Sequence, residues 1–344
     1  MDAFALYRLP RDGHCTLVGQ NGVPSRLTSL EQLGDGCGFV IAPFTASDDM
    51  PALLLAPDDV RQFDCNNVAE IDDYLPFYMD SGHLALNTVD REVYHQDFCR
   101  FQRAFSATGI QKLVLARCAD IGHKGTHPTA LFSRACELYP DAFVTLFSAP
   151  QCGTWLMATP EVLLAHGGGR WHTMALAGTM RYSDEALSWS EKNIQEQAYV
   201  ARYIKDCLDL YSNDVEMTAP YTTRAGILAH LRTDFSFTMT DQARLGALLN
   251  ALHPTPAVCG FPKLESHRFI LENETVDRSY YSGFSGPLHL GDDTAMFVSL
   301  RCMRILDDRY RLYAGGGILP QSEENLEWAE TEAKMQAMLS LIEE

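Results

Sequence analysis

The chain has 344 residues, 46% of them hydrophobic and 21% charged, with 24 glycines and 16 prolines. That usage excludes collagenous, coiled-coil and disordered chains, and no apolar run approaches the roughly 18 residues of a membrane span. A net charge of -18 repels phosphate backbones and anionic lipid, which argues against nucleic-acid and membrane partners.

The first eight residues, Met1 to Arg8, lack the basic-then-apolar order of a signal peptide, so a cytoplasmic protein is expected. Only six residues are lysine, the first at Lys112. An anionic substrate would therefore need its few cations gathered at one place, or a metal. The ten cysteines are dispersed without CxxC spacing, and without a secretion signal they are expected to be reduced. A disulfide framework or structural zinc is not expected.

Residues 1–80 alternate short apolar runs with turn signals such as Gly34-Asp35-Gly36, and predict strands at 38–43 and 52–55. A helix is predicted over 91–109, a strand over 111–117 and a second helix over 127–139. Strands follow at 142–148, 154–159, 162–166 and 170–176, with Gly167-Gly168-Gly169 as the turn between the last two. A long helix is expected over about 184–212 and another over about 240–251. Strands return at 295–305 and 309–314 before a final helix from about 323. Runs of strands broken by a few long helices predict an α+β fold with large, mostly antiparallel sheets.

Lys112 shares a strand face with Val114 and Ala116. Desolvated there, it would have a lowered pKa and could act as a general base; on an edge strand it would be an ordinary solvated lysine. Glu161 follows a strand-breaking Pro160 and precedes Val162-Leu163-Leu164. Partial burial would keep it protonated as a general acid, whereas an exposed hairpin edge would not. Glu196 lies on a helical stripe with Val200, Tyr203, Cys207 and Leu210, beside a second stripe from Ile194 to Tyr211. A carboxylate within so apolar a helix needs a cation, either a metal or an arginine such as Arg202. Glu330 and Lys334 are spaced i, i+4, with Glu327 one turn earlier. They read equally as a surface ion pair or as a metal ligand beside an anion-binding ammonium. Tyr310 to Gly317 is a strand running into three glycines whose bare N–H groups could cradle an anion.

Taken together, these segments resemble the chorismate-utilising enzymes, and within them the isochorismate synthases, relatives of anthranilate synthase component I and salicylate synthase. The blocks are Gln111-Lys112-Leu113-Val114-Leu115-Ala116-Arg117, Thr159-Pro160-Glu161, Leu176-Ala177-Gly178-Thr179 and His253-Pro254-Thr255-Pro256-Ala257-Val258-Cys259-Gly260. A last stretch runs from Asp277-Arg278 and Tyr281-Ser282-Gly283 to Ala314-Gly315-Gly316-Gly317 and Glu330-Thr331-Glu332-Ala333-Lys334. Lys112 stands where the aminating relatives usually carry Gln, and Ala177 precedes Gly178-Thr179 where the covalent aminodeoxychorismate mechanism needs Lys. The chain departs from the family pattern at Met180-Arg181 and at Phe261.

The resemblance implies a sandwich of mostly antiparallel sheets with helices outside. Residues 1–90 would be a shortened sheet portion of the same fold, and 91–344 the chorismate-binding core. It implies an isomerase that adds water at C2 of chorismate and expels the C4 hydroxyl, with salicylate synthase or a catalytically silent relative as alternatives. By resemblance Lys112 is the base and Glu161 the acid, while Glu196 and Glu330 hold Mg²⁺. Arg301, Tyr281, Gly316, Gly317 and Lys334 would clamp the pyruvyl carboxylate, and Gly178, Thr179 and His230 would line the pocket. A monomer supplying menaquinone, siderophore or salicylate formation is implied.

Overall fold

In a computed structural model, residues 1–34, 36–80, 84–183, 187–291 and 294–343 are described. Among them are six α-helices: α1 (Arg91–Ala107), α2 (Pro128–Leu138), α3 (Glu191–Leu208), α4 (Leu245–Leu252), α5 (Lys263–Asn273) and α6 (Glu324–Ile342). Asp90 caps α1 by accepting from the Val93 N–H, and Ser190 caps α3 by accepting from Asn193. The sequence places the start of α3 too early, and residues 184–186 of that expectation lie outside the described residues. Asp35, in the first predicted turn, and residue 344, at the end of the final helix, also lie outside them.

Two sheets carry the molecule. One has nine described strands in the order Gly260–Phe261, Lys112–Gly122, Arg309–Ile318, Cys302–Ile305, Gly153–Thr159, Phe143–Ala149, Ala3–Arg8, His14–Gln20 and Asp59–Asp64. The other has ten. Its main path runs Glu216–Met217, Leu228–Phe237, Arg170–Arg181, Val162–Gly167, Thr294–Val298, Phe284–Leu288, Gly38–Ala42, Ala52–Leu55 and Ser25–Leu27, with Tyr221–Ala225 also paired to Leu228–Phe237. Every described pairing is antiparallel.

The sheets pack face to face. Ala5, Tyr7, Phe143, Phe147 and Trp155 of the first meet Phe39, Ile41, Leu53 and Phe297 of the second in one apolar cluster. Phe143 and Phe297 stack across it at 4.1 Å. The outer faces are covered too. Phe4, Leu6, Val144 and Leu146 pack under α2 and the end of α6, while Leu164, Trp171, Phe235 and Phe237 pack under α3 and α4. Strands buried on both faces show no polar–apolar alternation, which is why Ala3–Arg8 is buried along its whole length.

That double burial also explains where the predicted strand 295–305 fails. Ser299-Leu300-Arg301 divides it into Thr294–Val298 of the ten-stranded sheet and Cys302–Ile305 of the nine-stranded sheet. Both halves are equally apolar, so the pattern carries no mark of the crossing. The strands Leu228–Phe237 and Phe284–Leu288 and helix α5 were not predicted. In Leu228–Phe237 the polar His230, Arg232, Thr233 and Asp234 interrupt the apolar pattern.

The expectation of uniformly reduced cysteines is corrected: Cys15 and Cys65 form a disulfide. Pairing of His14–Gln20 with Asp59–Asp64 sets Cys15 opposite Phe63 and brings the next turn, at Cys65, beside it. Fifty residues of sequence separation conceal that proximity. No described helix is long and apolar enough to cross a membrane.

Candidate active site

Thr159-Pro160-Glu161 leaves the nine-stranded sheet for the ten-stranded one, and Ser299-Leu300-Arg301 makes the opposite crossing. The two crossings are stitched together. Val298 N–H donates to the Glu161 carbonyl and Ala158 N–H to the Arg301 carbonyl, each at 3.0 Å. Arg301 adopts a left-handed backbone, φ 43°, the kind of strain that persists where surrounding structure over-determines a residue. Glu161 is 2% exposed. Burial pushes its carboxyl up to about 8, against the opposite pull of Lys112, Arg301 and Lys334.

Arg301 Nη2 donates to His230 Nε2 at 3.2 Å, while His230 Nδ1 lies 3.2 Å from the Gly178 carbonyl and 3.3 Å from the Thr179 hydroxyl. A guanidinium cannot accept, so Nε2 is the bare nitrogen and Nδ1 carries the proton. Burial, then the charges of Arg301 and Lys334, hold His230 neutral, with its pKa well below the usual value. Gly178 is a β-bulge in the pairing of Arg170–Arg181 with Leu228–Phe237, at φ 73°. A Cβ there would meet the Asn193 carbonyl at 3.0 Å, so the bulge requires glycine and lets α3 come close.

Lys112 is fully buried, and its Nζ donates to the Pro256 carbonyl at 2.7 Å and lies 3.2 Å from Glu196 Oε1. Burial lowers its pKa, opposed by Glu196. The solvated-edge reading is therefore excluded. The strand Gly260–Phe261 covers Lys112, and a Cβ at Gly260 would lie 2.4 Å from the Lys112 carbonyl. The buried pair Arg278–Glu274, at 2.5 Å, braces the same strand: Arg278 donates to the Val114 carbonyl and Glu274 accepts from Ala116 N–H.

Gly315, Gly316 and Gly317 lie within Arg309–Ile318, paired with Ala116, Leu115 and Val114 of the strand that carries Lys112. They are strand residues and none has a positive φ, so the expected glycine turn is corrected to the end of a strand. What they supply is room. A Cβ at Gly317 would sit 2.0 Å from Glu196 Oε1, at Gly316 3.2 Å from Glu327 Oε2, and at Gly315 2.7 Å from the Tyr281 hydroxyl. Tyr281 is buried and stacks on Tyr313 at 5.6 Å.

Glu196 of α3 and Glu327 and Glu330 of α6 thus face this bare strand. Lys192 lies 2.8 Å from Glu327 and 3.6 Å from Glu196, and Lys334 lies 2.6 Å from Glu330 and donates to the Gly315 carbonyl. Glu330 is held below its ordinary value because Lys334 and Lys192 together outweigh burial, while burial raises Glu327 and keeps the Lys192 pull from lowering it. Three of the six lysines therefore converge here with Arg301.

The sequence missed Lys192, whose i, i+4 spacing to Glu196 was the available signal, and passed over Glu327 as a ligand. Arg202 does not neutralise Glu196; it lies 3.8 Å from Asp206 on the solvent side. The wide apolar stripe also narrows, since Ile194 is 53% and Leu210 69% exposed. Of the residues singled out, Glu161, Gly178, Thr179, Glu196, His230, Tyr281, Arg301, Gly317 and Lys334 border one cavity. Lys112 stands behind Glu196 and Glu330 beside Lys334, while Gly316 lies on the strand between Gly315 and Gly317.

Comparison with known proteins adds the lineage. The chorismate binding enzyme family matches residues 68–343. The chain belongs to that family. Isochorismate synthase EntC of Escherichia coli (strain K12) is 30% identical over 274 residues, covering 75% of this chain and 70% of that protein. DhbC of Bacillus anthracis superposes with a TM-score of 0.81 at 23% identity over 99% of this chain and 96% of that one. Anthranilate synthase component I of Streptococcus pneumoniae does so at 0.70 and 17%, over 98% and 92%. One fold thus carries proteins of different activity, and the site has to decide between them.

Within this chorismate-binding chain the family departures are local. Phe261 stacks on Tyr199 of α3 at 5.4 Å, an apolar brace over the Lys112 strand. Met180 and Arg181 extend the strand beyond the bulge, paired with Ala229 and Leu228.

Proposed function

We propose that the protein is an isochorismate synthase, converting chorismate to isochorismate. The observation that carries this reading is the buried pair of Lys112, lowered, and Glu161, raised, which are displaced in opposite directions at one site. A neutral lysine accepts a proton from water as it adds at C2. A protonated glutamic acid donates to the C4 hydroxyl as it leaves, and the ring double bonds shift between the two events. An amine at the Lys112 position suits water activation, which supports an isomerase over an aminating enzyme.

Binding follows from charge. With Lys112 neutral as the base, Lys192, Lys334 and Arg301 offset Glu196, Glu327 and Glu330, so the resting site is close to neutral. A dianionic substrate enters such a site best with a dication. The donors fit Mg²⁺: three carboxylates of hard oxygen, with Glu327 Oε2 buried and without a hydrogen-bond partner among the described residues. Glu196 and Glu330, with Glu327 beside them, would hold the ion, which supplies positive charge for the ring carboxylate. Arg301, oriented by His230, and Lys334 would receive the pyruvyl carboxylate, with the Tyr281 hydroxyl beside them.

The test is incubation of purified protein with chorismate, with and without Mg²⁺, and chromatographic identification of the product. Mg²⁺-dependent isochorismate at equilibrium with chorismate, without pyruvate, is expected. Salicylate with pyruvate would replace the reading by a pyruvate-eliminating one, and a folded protein without turnover would refute it.

A further inference from the structure

Three sulfur atoms converge at the opposite edge of the nine-stranded sheet from Lys112. Cys15 comes from His14–Gln20, Cys65 from the turn after the edge strand Asp59–Asp64, and Cys136 from α2. Their Sγ atoms all lie within 4.8 Å of one another, with Cys15 and Cys65 disulfide-bonded. A disulfide uses two of these sulfurs and gives no reason for a third beside it. Cys65 and Cys136 border a cavity of about 110 Å³ that shares no lining residue with the active-site cavity. That is ample room for a water molecule.

Arg8 borders the same cavity and is 3% exposed. Its Nη atoms donate to the carbonyls of Tyr139, Pro140 and Ala142, but its buried Nε has no partner among the described residues. The buried guanidinium, with an unspent donor, borders the cavity together with Cys65 and Cys136, and its charge favours the Cys136 thiolate against burial and Glu137. Thiolate donors select soft d¹⁰ cations, and three sulfurs with an open fourth position suit Zn²⁺ completed by water. Three thiolates and one Zn²⁺ leave one negative charge for Arg8 to offset, while Asp12 and Glu137 also border the cavity.

We propose that, with the Cys15–Cys65 disulfide reduced, Cys15, Cys65 and Cys136 bind one Zn²⁺ as a three-thiolate site. Reduction takes two electrons and two protons from a dithiol, which itself becomes a disulfide and leaves two free thiols. Binding then releases three thiol protons to solvent as three Zn–S bonds form. The site is independent of the chorismate reading.

The test uses the full chain with the accessible Cys37 and Cys99 changed to serine, reduced by a phosphine. Zn²⁺ affinity is measured by competition with a chromophoric chelator, and Co²⁺ replaces Zn²⁺ to report sulfur ligation by its thiolate charge-transfer band. One equivalent with that band is expected in the reduced protein, and no band in the unreduced one. Cys136→Ser should lose the band and bind Zn²⁺ at least 100-fold more weakly. Cys65→Ser, at a partly exposed position, should do the same and keeps the test decisive should the buried substitution impair folding. A reduced protein without the band, or a band that survives either substitution or arises in the unreduced protein, would overturn the proposal.

Discussion

Replacing Glu161 by glutamine is expected to stabilise the protein while abolishing turnover. The Glu161 carboxyl is buried and titrates at about 8 instead of 4.5, chiefly through burial. In the unfolded chain it ionises near its ordinary value. Between about pH 4.5 and 8 the native state therefore binds the extra proton, and stability falls as pH rises. At ~1.4 kcal/mol per pKa unit, the cost reaches about 3 kcal/mol at pH 7 and about 5 kcal/mol above pH 8, as an order of magnitude. The amide of Glu161→Gln would keep the shape and shed that cost. Urea denaturation of both proteins at several pH values reads it, because groups away from Lys112, Arg301 and Lys334 titrate alike in the two and cancel. The variant should lie within about 1 kcal/mol of the parent near pH 5, and its advantage should grow to several kcal/mol by pH 9. Parent turnover should fall as pH rises through about 8, where the acid loses its proton. A stability difference that stays constant across this range would refute a raised Glu161 pKa, and with it the acid assignment.

Glu274→Gln leaves Arg278 buried without its counter-charge and should cost about 3–5 kcal/mol in thermal or urea denaturation; a loss below about 1 kcal/mol would show that the pair does not brace the Lys112 strand. Gly317→Ala places a methyl 2.0 Å from Glu196 Oε1, so circular dichroism should be preserved while turnover and Mg²⁺ binding in calorimetry fall at least about tenfold. Lys192→Met removes the ammonium 2.8 Å from Glu327, and Mg²⁺ should then bind about tenfold tighter in calorimetry, about 1.4 kcal/mol. Weaker binding would mean that Lys192 holds the carboxylates in place and does not compete for them.

Local chemistry made much of the chain legible. The start of α1 at Arg91, the glycine turn after Val162–Gly167, and apolar runs at Gly38–Ala42 and Ala52–Leu55 each depend on a few residues, and each appears where the sequence puts it. Lys112, Glu161, Glu196 and Glu330 were also visible singly, as polar groups in apolar settings. Each kept two readings, because a lysine in a strand is a base or a solvated charge according to what covers it, and the cover comes from 144 residues away at Pro256. The crossings at Glu161 and Arg301, the Lys192 clasp on Glu327, the use of three glycines as clearance and the meeting of Cys15 with Cys65 and Cys136 are all products of packing. Periodicity reports which face of an element is apolar. Where both faces are buried it cannot name the sheet or the partner, and only the tertiary structure sets the desolvation and the opposing charges that give a buried group its chemistry.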